Sequence, residues 1–204
     1  MNPQLFTAFL LITLVLVLAP GPIVTLVVST GATRGLRPAL ATVVGTTLGN
    51  ALLLTAIALG LSWALLHALI LFEIMRWVGA AYLIYLGVQA WRGAAKASDP
   101  LPVHDRVHFA RGLVVALTNP KTTVFFTAFL PQFVDPSLSA GRQLAIMCVA
   151  STLMAATTDT AWAVAAGLGR AWFMHPARAR LLARLSGCAL IGGGIWLSLT
   201  RRPA

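Results

Sequence analysis

The stretch VLVLAPGPIVTLVVS, Val15 to Ser29, places Pro-Gly-Pro in the middle of an apolar run that otherwise has the character of a membrane helix. A proline inside a helix removes one backbone hydrogen bond and its ring clashes with the preceding turn, so the motif predicts a break. The break leaves backbone groups unpaired, and hydrocarbon cannot satisfy them, so it should face protein or a polar cavity. A kink that serves only helix packing is the alternative.

The composition indicates that the chain folds in a lipid bilayer. Of its 204 residues 58% are hydrophobic and only 10% are charged, and the mean hydropathy is +0.85. No charged residue occurs between Met1 and Thr33, and His67 is the only ionisable residue between Pro38 and Phe72. Each run exceeds the roughly 20 residues that a spanning helix needs. A secretory signal is the competing interpretation of the first run, but MNPQ has no basic residue to form its charged start.

Charge clusters and Pro/Gly positions divide the chain into six predicted membrane helices, at about 4–30, 39–62, 69–91, 110–133, 143–168 and 181–200. The third and sixth have the shortest charge-free stretches, so Glu73, Arg76 and Arg184 should lie near the interface. The polar, proline-containing segment 93–108 is predicted to be a cytoplasmic linker between two halves, residues 1–92 and 109–204.

The basic residues predict an orientation. The side that holds the first, third and fifth loops carries ten of them: Arg34, Arg37, Arg92, Lys96, Arg106, Arg111, Arg170, Arg178, Arg180 and Arg184. The opposite side carries four: Arg76, Arg142, Arg201 and Arg202. The positive-inside rule makes the first side cytoplasmic and both termini periplasmic. The net charge of +10 is thus a topology signal, and without an aromatic-bearing basic domain we expect no nucleic-acid partner.

The two halves share sequence features. RWVGAAYLI (Arg76 to Ile84) is similar to RLSGCALIG (Arg184 to Gly192), and LAPGPIVTLV (Leu18 to Val27) is similar to LTNPKTTVFF (Leu117 to Phe126) in having a proline-centred break. Because each half has three helices, the halves must insert in opposite orientations. Inverted repeats with interrupted helices are typical of transporters. Chance similarity between membrane helices rich in small residues is the alternative.

Four motifs, taken together, resemble a known family. PGP in the first helix, GTTLGN (Gly45 to Asn50), WVGAAYLIYLG (Trp77 to Gly87) and NPKTTVFFTAFLPQF (Asn119 to Phe133) are similar, in order and spacing, to the LysE/RhtB family of bacterial amino-acid exporters. The resemblance implies a six-helix inner-membrane protein that exports amino acids or similar metabolites, in exchange for protons. The chain departs from the family pattern at Ile23, where many relatives have a polar or acidic residue.

The candidate residues fall into two groups. Those expected in the transport pathway are Pro20, Gly21, Pro22, Asn50, Asn119, Pro120, Lys121 and Asp159. Those expected to allow close helix packing are Gly45, Gly49, Gly79 and Gly187. Three residues have alternative roles. Asn50 could instead form an interhelical hydrogen bond, and Lys121 could instead extend its ammonium to the membrane interface. Gln132 could either cap a helix or contact a gate.

Asp159 is the only acidic residue in the interior of a predicted span. A carboxylate at mid-membrane costs about 2.5 to 3.5 kcal/mol, so it should face the bundle interior and have a partner. One hypothesis is structural: Asp159 is neutral or paired to Lys121, and it serves only to join the predicted fourth and fifth helices. The other is that Asp159 binds a proton and the substrate ammonium in turn, which would give exchange.

Enzyme chemistry finds little support in the sequence. The four histidines, His67, His104, His108 and His175, are all expected in loops, Cys148 and Cys188 are isolated, and no Walker motif is present. No cofactor and no metal site is expected. Besides the amino-acid exporter, two hypotheses remain: an exporter of metal cations or other small solutes, and a non-transporting membrane assembly or redox factor. The lipid bilayer and a small-molecule substrate are the expected partners, and a homo-oligomer is compatible with the sequence.

Overall fold

A computed structural model describes residues 2–67, 69–93, 105–169, 172 and 175–199. Within these ranges the regular structure is entirely helical, which confirms the predicted all-α class. The elements are α1 (Pro3–Leu18), α2 (Pro22–Arg34), α3 (Leu36–His67), α4 (Leu69–Gly93), α5 (Asp105–Leu117), α6 (Pro120–Phe129), a 3₁₀ turn (Leu130–Phe133), α7 (Ala140–Leu168) and α8 (Pro176–Leu199).

Among the described residues, two helices are by themselves long and apolar enough to cross a membrane, Leu36–Leu61 of α3 and Ala140–Leu168 of α7. Two further spans form if each bent pair counts as one: α1 with α2, at an angle of 47°, and Val107–Leu117 with Pro120–Phe133, at 40°. The predicted third and sixth spans fall on α4 and α8, where the apolar segments are shorter, Ala80–Gln89 and Leu190–Leu199. The described residues therefore contain two to four candidate spans, which is consistent with a multi-pass membrane protein, and the count of six stays a prediction.

Local chemistry explains where the helices at the two breaks begin and end. Asn2 caps the start of α1 by accepting hydrogen bonds from the amides of Gln4 and Leu5. Both α2 and α6 start with a proline, whose missing N–H costs nothing at the first helical position. The end of α2 is followed by Gly35 at φ 94°, a backbone conformation that residues with a side chain rarely adopt. The chain thus turns directly from α2 into α3.

Glycines allow the closest helix contacts. On α3, a Cβ at Gly49 would lie 2.7 Å from the Cβ of Ala116, and one at Gly45 would overlap the carbonyl of Phe109, so α3 and α5 pack backbone to backbone. On α8, a Cβ at Gly187 would lie 2.7 Å from the carbonyl oxygen of Gly87 on α4. The corresponding surroundings of Gly79 lie outside the described residues. A larger residue at Gly45, Gly49 or Gly187 would therefore force the helices apart.

Aromatic side chains pack between α6, α8 and the 3₁₀ turn, and one pair joins the turn to α1. The rings of Phe125 and Phe129 stack at 4.2 Å, and Phe129 stacks on Trp196 at 5.2 Å. Phe9 of α1 meets Phe133 edge-on at 5.6 Å. This packing joins α6 to α8 and the 3₁₀ turn after α6 to α1.

The expectation that all four histidines lie in loops is wrong for His67, which belongs to α3, and for His108, which is buried on α5. The helix begins at Asp105, inside the predicted linker 93–108, because the residues from Val107 onward are apolar at helical spacing. His67 is the last residue of α3, His175 is exposed, and His104 lies outside the described residues. No group of three or more His, Cys, Asp or Glu side chains able to hold a metal occurs in the part of the chain that the structure describes.

Candidate functional site

Both helix breaks border one internal cavity of about 50 Å³. Its wall combines residues from α1, α2, α3, α6 and α7 with Gly21 and Asn119 from the breaks themselves. The polar lining residues are Asn50, Asn119, Lys121, Thr122, Ser151 and Asp159. The remaining lining is apolar and includes Leu16, Val24 and Phe126. The structure thus surrounds a small space with a cation, an anion and several uncharged hydrogen-bonding groups.

Lys121 joins the two breaks. Its ammonium donates hydrogen bonds to the carbonyl oxygens of Leu16, at 2.8 Å, and of Ala19. These are among the carbonyls at the end of α1 that the Pro-Gly-Pro motif deprives of a helical partner. A cation at a helix C-terminus is also favoured by the partial negative charge there. The side chain is 7% exposed, so it does not reach to an interface, the alternative that the sequence left open.

Gly21 makes room for this lysine. A Cβ at Gly21 would lie 3.0 Å from Cδ and 3.3 Å from Nζ of Lys121, closer than nearly all real Cβ contacts. The glycine between the two prolines therefore has a steric reason. Any side chain there would push Lys121 away from the carbonyls of α1.

At the second break, the Asn119 side chain satisfies backbone and side-chain groups of its own neighbours. Its Oδ1 accepts a hydrogen bond from the amide of Lys121 at 3.1 Å, and its Nδ2 donates to the hydroxyl of Thr122 at 2.8 Å. This is an N-cap of α6, formed by residues two and three positions apart in the chain. The start of α2 differs, since Gly21 provides no side-chain cap there.

Asp159 lies on α7, is 4% exposed and lines the same cavity. The hydroxyl of Thr46 lies 3.2 Å from its Oδ2 and 3.0 Å from the carbonyl oxygen of Val43. A hydroxyl has one hydrogen, so Thr46 donates either to an ionised Asp159 or to Val43, and in the second case it can accept from a protonated Asp159. Thr46 can therefore serve both protonation states of the carboxyl group.

Lys121 and Asp159 line the same cavity but have separate hydrogen-bond partners, the carbonyls of α1 for the first and Thr46 for the second. The structural hypothesis that the two side chains form a direct pair is not what the geometry shows. Both side chains remain available to a ligand in the cavity that they line.

Asn50 is 4% exposed and lines the cavity, and its Oδ1 has no hydrogen-bond partner among the described residues. Leaving a buried acceptor unpaired costs about 1–3 kcal/mol. Asn50 therefore does not make the interhelical hydrogen bond considered from the sequence. Its amide can present either its oxygen or its nitrogen to a ligand, because a flip of the group exchanges the two.

Five of the eight predicted pathway residues line this cavity: Gly21, Asn50, Asn119, Lys121 and Asp159. Pro20, Pro22 and Pro120 are not among the described lining residues. Pro22 and Pro120 are the first residues of α2 and α6, and Pro20 lies between α1 and α2, so the three prolines act through the backbone. Gln132 lies in the 3₁₀ turn, and its buried Nε2 has no partner within the described chain.

Sequence reasoning did not identify Thr122 and Ser151 as lining residues of the cavity, or Thr46 as the partner of Asp159. Hydroxyl residues are common in membrane helices, where they bond to the carbonyl one turn earlier, as Ser151 does to Met147 at 2.7 Å. Thr46 lies in the quoted GTTLGN motif, one turn before Asn50, and helical spacing could have placed it on the same face.

Comparisons with known proteins agree on one family. Residues 14–200 match the family described as LysE type translocator. A homoserine/homoserine lactone efflux protein of Salmonella typhimurium is 32% identical over 95% of this chain and 96% of the relative. A leucine efflux protein of Salmonella choleraesuis is 32% identical over 59% of this chain and 58% of the relative. A membrane protein of Vibrio cholerae, described only as uncharacterized, is 29% identical over 98% of this chain. No solved structure matches significantly.

Proposed function

The chain belongs to the LysE type translocator family, and we propose that it is a secondary exporter of amino acids or closely related metabolites across the bacterial inner membrane, driven by proton antiport. As a member of this family it is a membrane transporter and not an enzyme. The observation that carries the proposal is one cavity lined by the buried side chains of Asp159 and Lys121, each with its own hydrogen-bond partners.

Two features of the cavity suit the two ends of an amino acid. Asp159 supplies a negative charge for the ammonium group. The first turn of α2 begins without a side-chain cap, and its residues Ile23 and Val24 line the cavity, so amides without helical partners are available to a carboxylate. Because Lys121 already balances the charge of Asp159, a substrate without net charge disturbs the electrostatics of the cavity least.

Export would proceed by competition at Asp159. The ionised carboxylate binds the substrate ammonium from the cytoplasm, and a proton from the periplasm replaces the substrate there. Thr46 can bond to Asp159 in either state, so neither step leaves the carboxyl group without a partner. A cavity of about 50 Å³ is much smaller than the about 150 Å³ of a protein cavity that binds benzene, so it must widen to admit an amino acid.

We place this cycle in a six-span protein built from two inverted halves, with both termini in the periplasm. The antiparallel course of α4 and α8 supports the arrangement: Gly187 meets Gly87, whereas Gly194, further along α8, meets Ala80, earlier on α4. Reporter fusions after Ala204 should read periplasmic and fusions at Ala97 cytoplasmic. A cytoplasmic carboxyl terminus would contradict the six-span arrangement. The proposal does not depend on whether the exporter works as a monomer or a homo-oligomer.

The test is uptake into everted membrane vesicles with an acidic lumen. In these vesicles proton exit drives substrate entry, so we expect gradient-dependent uptake of at least one amino acid in a screen that includes homoserine, leucine and threonine. Asp159→Asn should abolish the uptake, and Asp159→Glu should keep part of it. Uptake by Asp159→Asn equal to that of the wild type, or no gradient-dependent uptake of any amino acid, would refute the proposal.

Asp135→Asn is a matched control. This carboxylate lies in the loop before α7, outside the cavity, and hydrogen bonds from the hydroxyl and amide of Ser137 hold its pKa below the usual value. It therefore remains ionised under the assay conditions, and its removal changes the charge by the same amount as at Asp159. Uptake by Asp135→Asn should match that of the wild type.

A further inference from the structure

Three buried polar atoms have no hydrogen-bond partner in the part of the chain that the structure describes: Oδ1 of Asn50, Oγ1 of Thr13 and Nε2 of Gln132. Asn50 lines the polar cavity, whereas Thr13 and Gln132 are not among its described lining residues. An unpaired polar atom inside a protein lowers its stability, so each one calls for an explanation. The function proposed above accounts for Asn50 and leaves the other two unexplained.

Thr13 differs from other threonines of the chain. A threonine in a helix can bond to the carbonyl one turn earlier. Thr7, on the same helix, bonds in this way to Pro3 at 2.8 Å, and Thr30 of α2 bonds to Leu26 at 2.7 Å. The Thr13 hydroxyl makes no such bond, although the side chain is 0% exposed. It is therefore available to a molecule other than the helix that carries it.

Two contacts fix the course of α6 and the 3₁₀ turn along α1. Near the end of α1, Lys121 binds the carbonyls of Leu16 and Ala19 beside the polar cavity. Ten residues earlier on α1, Phe9 meets Phe133 of the 3₁₀ turn at 5.6 Å. The chain from Lys121 to Phe133 therefore runs antiparallel to α1, from the cavity toward the first turns of that helix.

Thr13 lies on α1 between these two contacts. It precedes the cavity-lining residues Leu16 and Val17 by three and four positions, and it follows Phe9 by four. Residues at these spacings share one face of a helix. The unpaired hydroxyl therefore lies one turn from the cavity wall, on the face of α1 that borders the cavity.

Gln132 lies further from the cavity in the same direction. It precedes Phe133 in the 3₁₀ turn, at the level where this turn contacts Phe9. The unpaired atoms thus form a series that begins in the cavity at Asn50, passes Thr13 and ends at Gln132. The series follows α1 toward its start, which is the end of the helix that we expect on the periplasmic side.

We propose that Thr13 and Gln132 line the route by which the substrate leaves the polar cavity toward the periplasm. The inference rests on the function proposed above. The Thr13 hydroxyl can accept a hydrogen bond from the ammonium group of an amino acid or donate one to its carboxylate, and the Gln132 amide can donate to the carboxylate. The contact between Phe9 and Phe133 closes the outer end of the route in this structure. Both polar groups gain partners only when a polar molecule passes.

Thr13→Val tests this role, because it replaces the hydroxyl by a methyl group of nearly the same size. Since the hydroxyl has no partner in the closed form, the melting temperature of the purified protein should rise, by about 2–4 °C. Gradient-driven uptake into everted vesicles should fall about fivefold, the effect of one lost hydrogen bond. A residue that serves only stability would not give a more stable and less active protein.

Thr30→Val is the matched control. Thr30 is also buried, but its hydroxyl is bonded to Leu26 and it is not among the described cavity residues. The control should neither raise the melting temperature nor change uptake. Gln132→Leu removes the second unpaired group and should lower uptake as Thr13→Val does.

Cysteine labelling tests the route without relying on transport. The parent protein carries Cys148→Ala and Cys188→Ala, which remove both native cysteines. In right-side-out vesicles, Thr13→Cys and Gln132→Cys should react with a membrane-impermeant methanethiosulfonate. Thr157→Cys is the control, since Thr157 lies on the exposed side of α7 and bonds only within its own helix, so it should contact lipid and stay unmodified.

The outcomes separate this proposal from the proposed function. Thr13→Cys and Gln132→Cys that react no faster than Thr157→Cys would overturn the route, as would wild-type uptake by Thr13→Val or a lower melting temperature of that variant. Amino-acid uptake by the wild type would leave the exporter intact in each of these cases. Labelling at both positions in a protein that transports no amino acid would refute the proposed function alone, since water would still reach both residues.

Discussion

The two helix breaks are similar in sequence and differ in how their backbone groups are satisfied. The second break is completed by its own residues, since Asn119 caps the start of α6. The first break is completed from a distance, since the carbonyls of Leu16 and Ala19 depend on Lys121, more than 100 residues later. The comparison teaches that the two breaks share the interruption but not its chemistry. The second break supplies the lysine, and the first supplies the glycine that admits it and a helix start without a side-chain cap.

The largest effect should come from removing the link between the breaks. In Lys121→Met the carbonyls of Leu16 and Ala19 lose their donor, at about 1–3 kcal/mol for each buried acceptor left unpaired. We expect uptake below detection in vesicles and a lower melting temperature of the purified protein. Arg142→Met, which removes an exposed cation near the start of α7, is the control and should change neither. A stable, active Lys121→Met would mean that the first break does not need the second.

A smaller effect is expected where the first break makes room for the lysine. In Gly21→Ala the new methyl group would lie 3.0 Å from Cδ of Lys121, so the flexible side chain must shift and its hydrogen bonds weaken. We expect uptake to fall about tenfold, equivalent to about 1.4 kcal/mol, with normal membrane insertion. The same change at Gly60, which has open space around it, should leave uptake unchanged. Equal uptake by the two variants would show that the position of Lys121 is not critical.

The smallest effect should come from the locally completed break. Asn119→Ala removes the cap of α6, which costs about 1 kcal/mol of stability, while the prolines and Lys121 remain. We expect a small decrease in melting temperature and a decrease in uptake of a few fold, because the start of α6 borders the cavity. Asn2→Ala removes an equivalent cap at the start of α1, away from the cavity, and should lower stability alone. If Asn2→Ala lowers uptake as much as Asn119→Ala does, the cap acts only through stability.

Much of the candidate site could be predicted because it consists of residues that are unusual in a membrane. An acidic residue, a lysine, two asparagines and a glycine between prolines stand out in apolar helices, and the structure brings Gly21, Asn50, Asn119, Lys121 and Asp159 to one cavity. Thr46 and Ser151 do not stand out, since a hydroxyl group is readily satisfied within its own helix. His108 was placed wrongly because a polar segment before it suggested a loop, whereas the helix starts at Asp105.

The sequence by itself determined the all-helical membrane class, both interruptions and the cap at Asn119, because each depends on groups within a few residues of one another. A proline lacks its N–H wherever the chain goes, and an asparagine before a helix reaches the next amides in any surroundings. Only the tertiary structure decided that Lys121 binds the carbonyls at the end of α1 and that Thr46, not Lys121, bonds to Asp159. These partners lie about 100 residues apart, and which of them meet depends on how the helices pack.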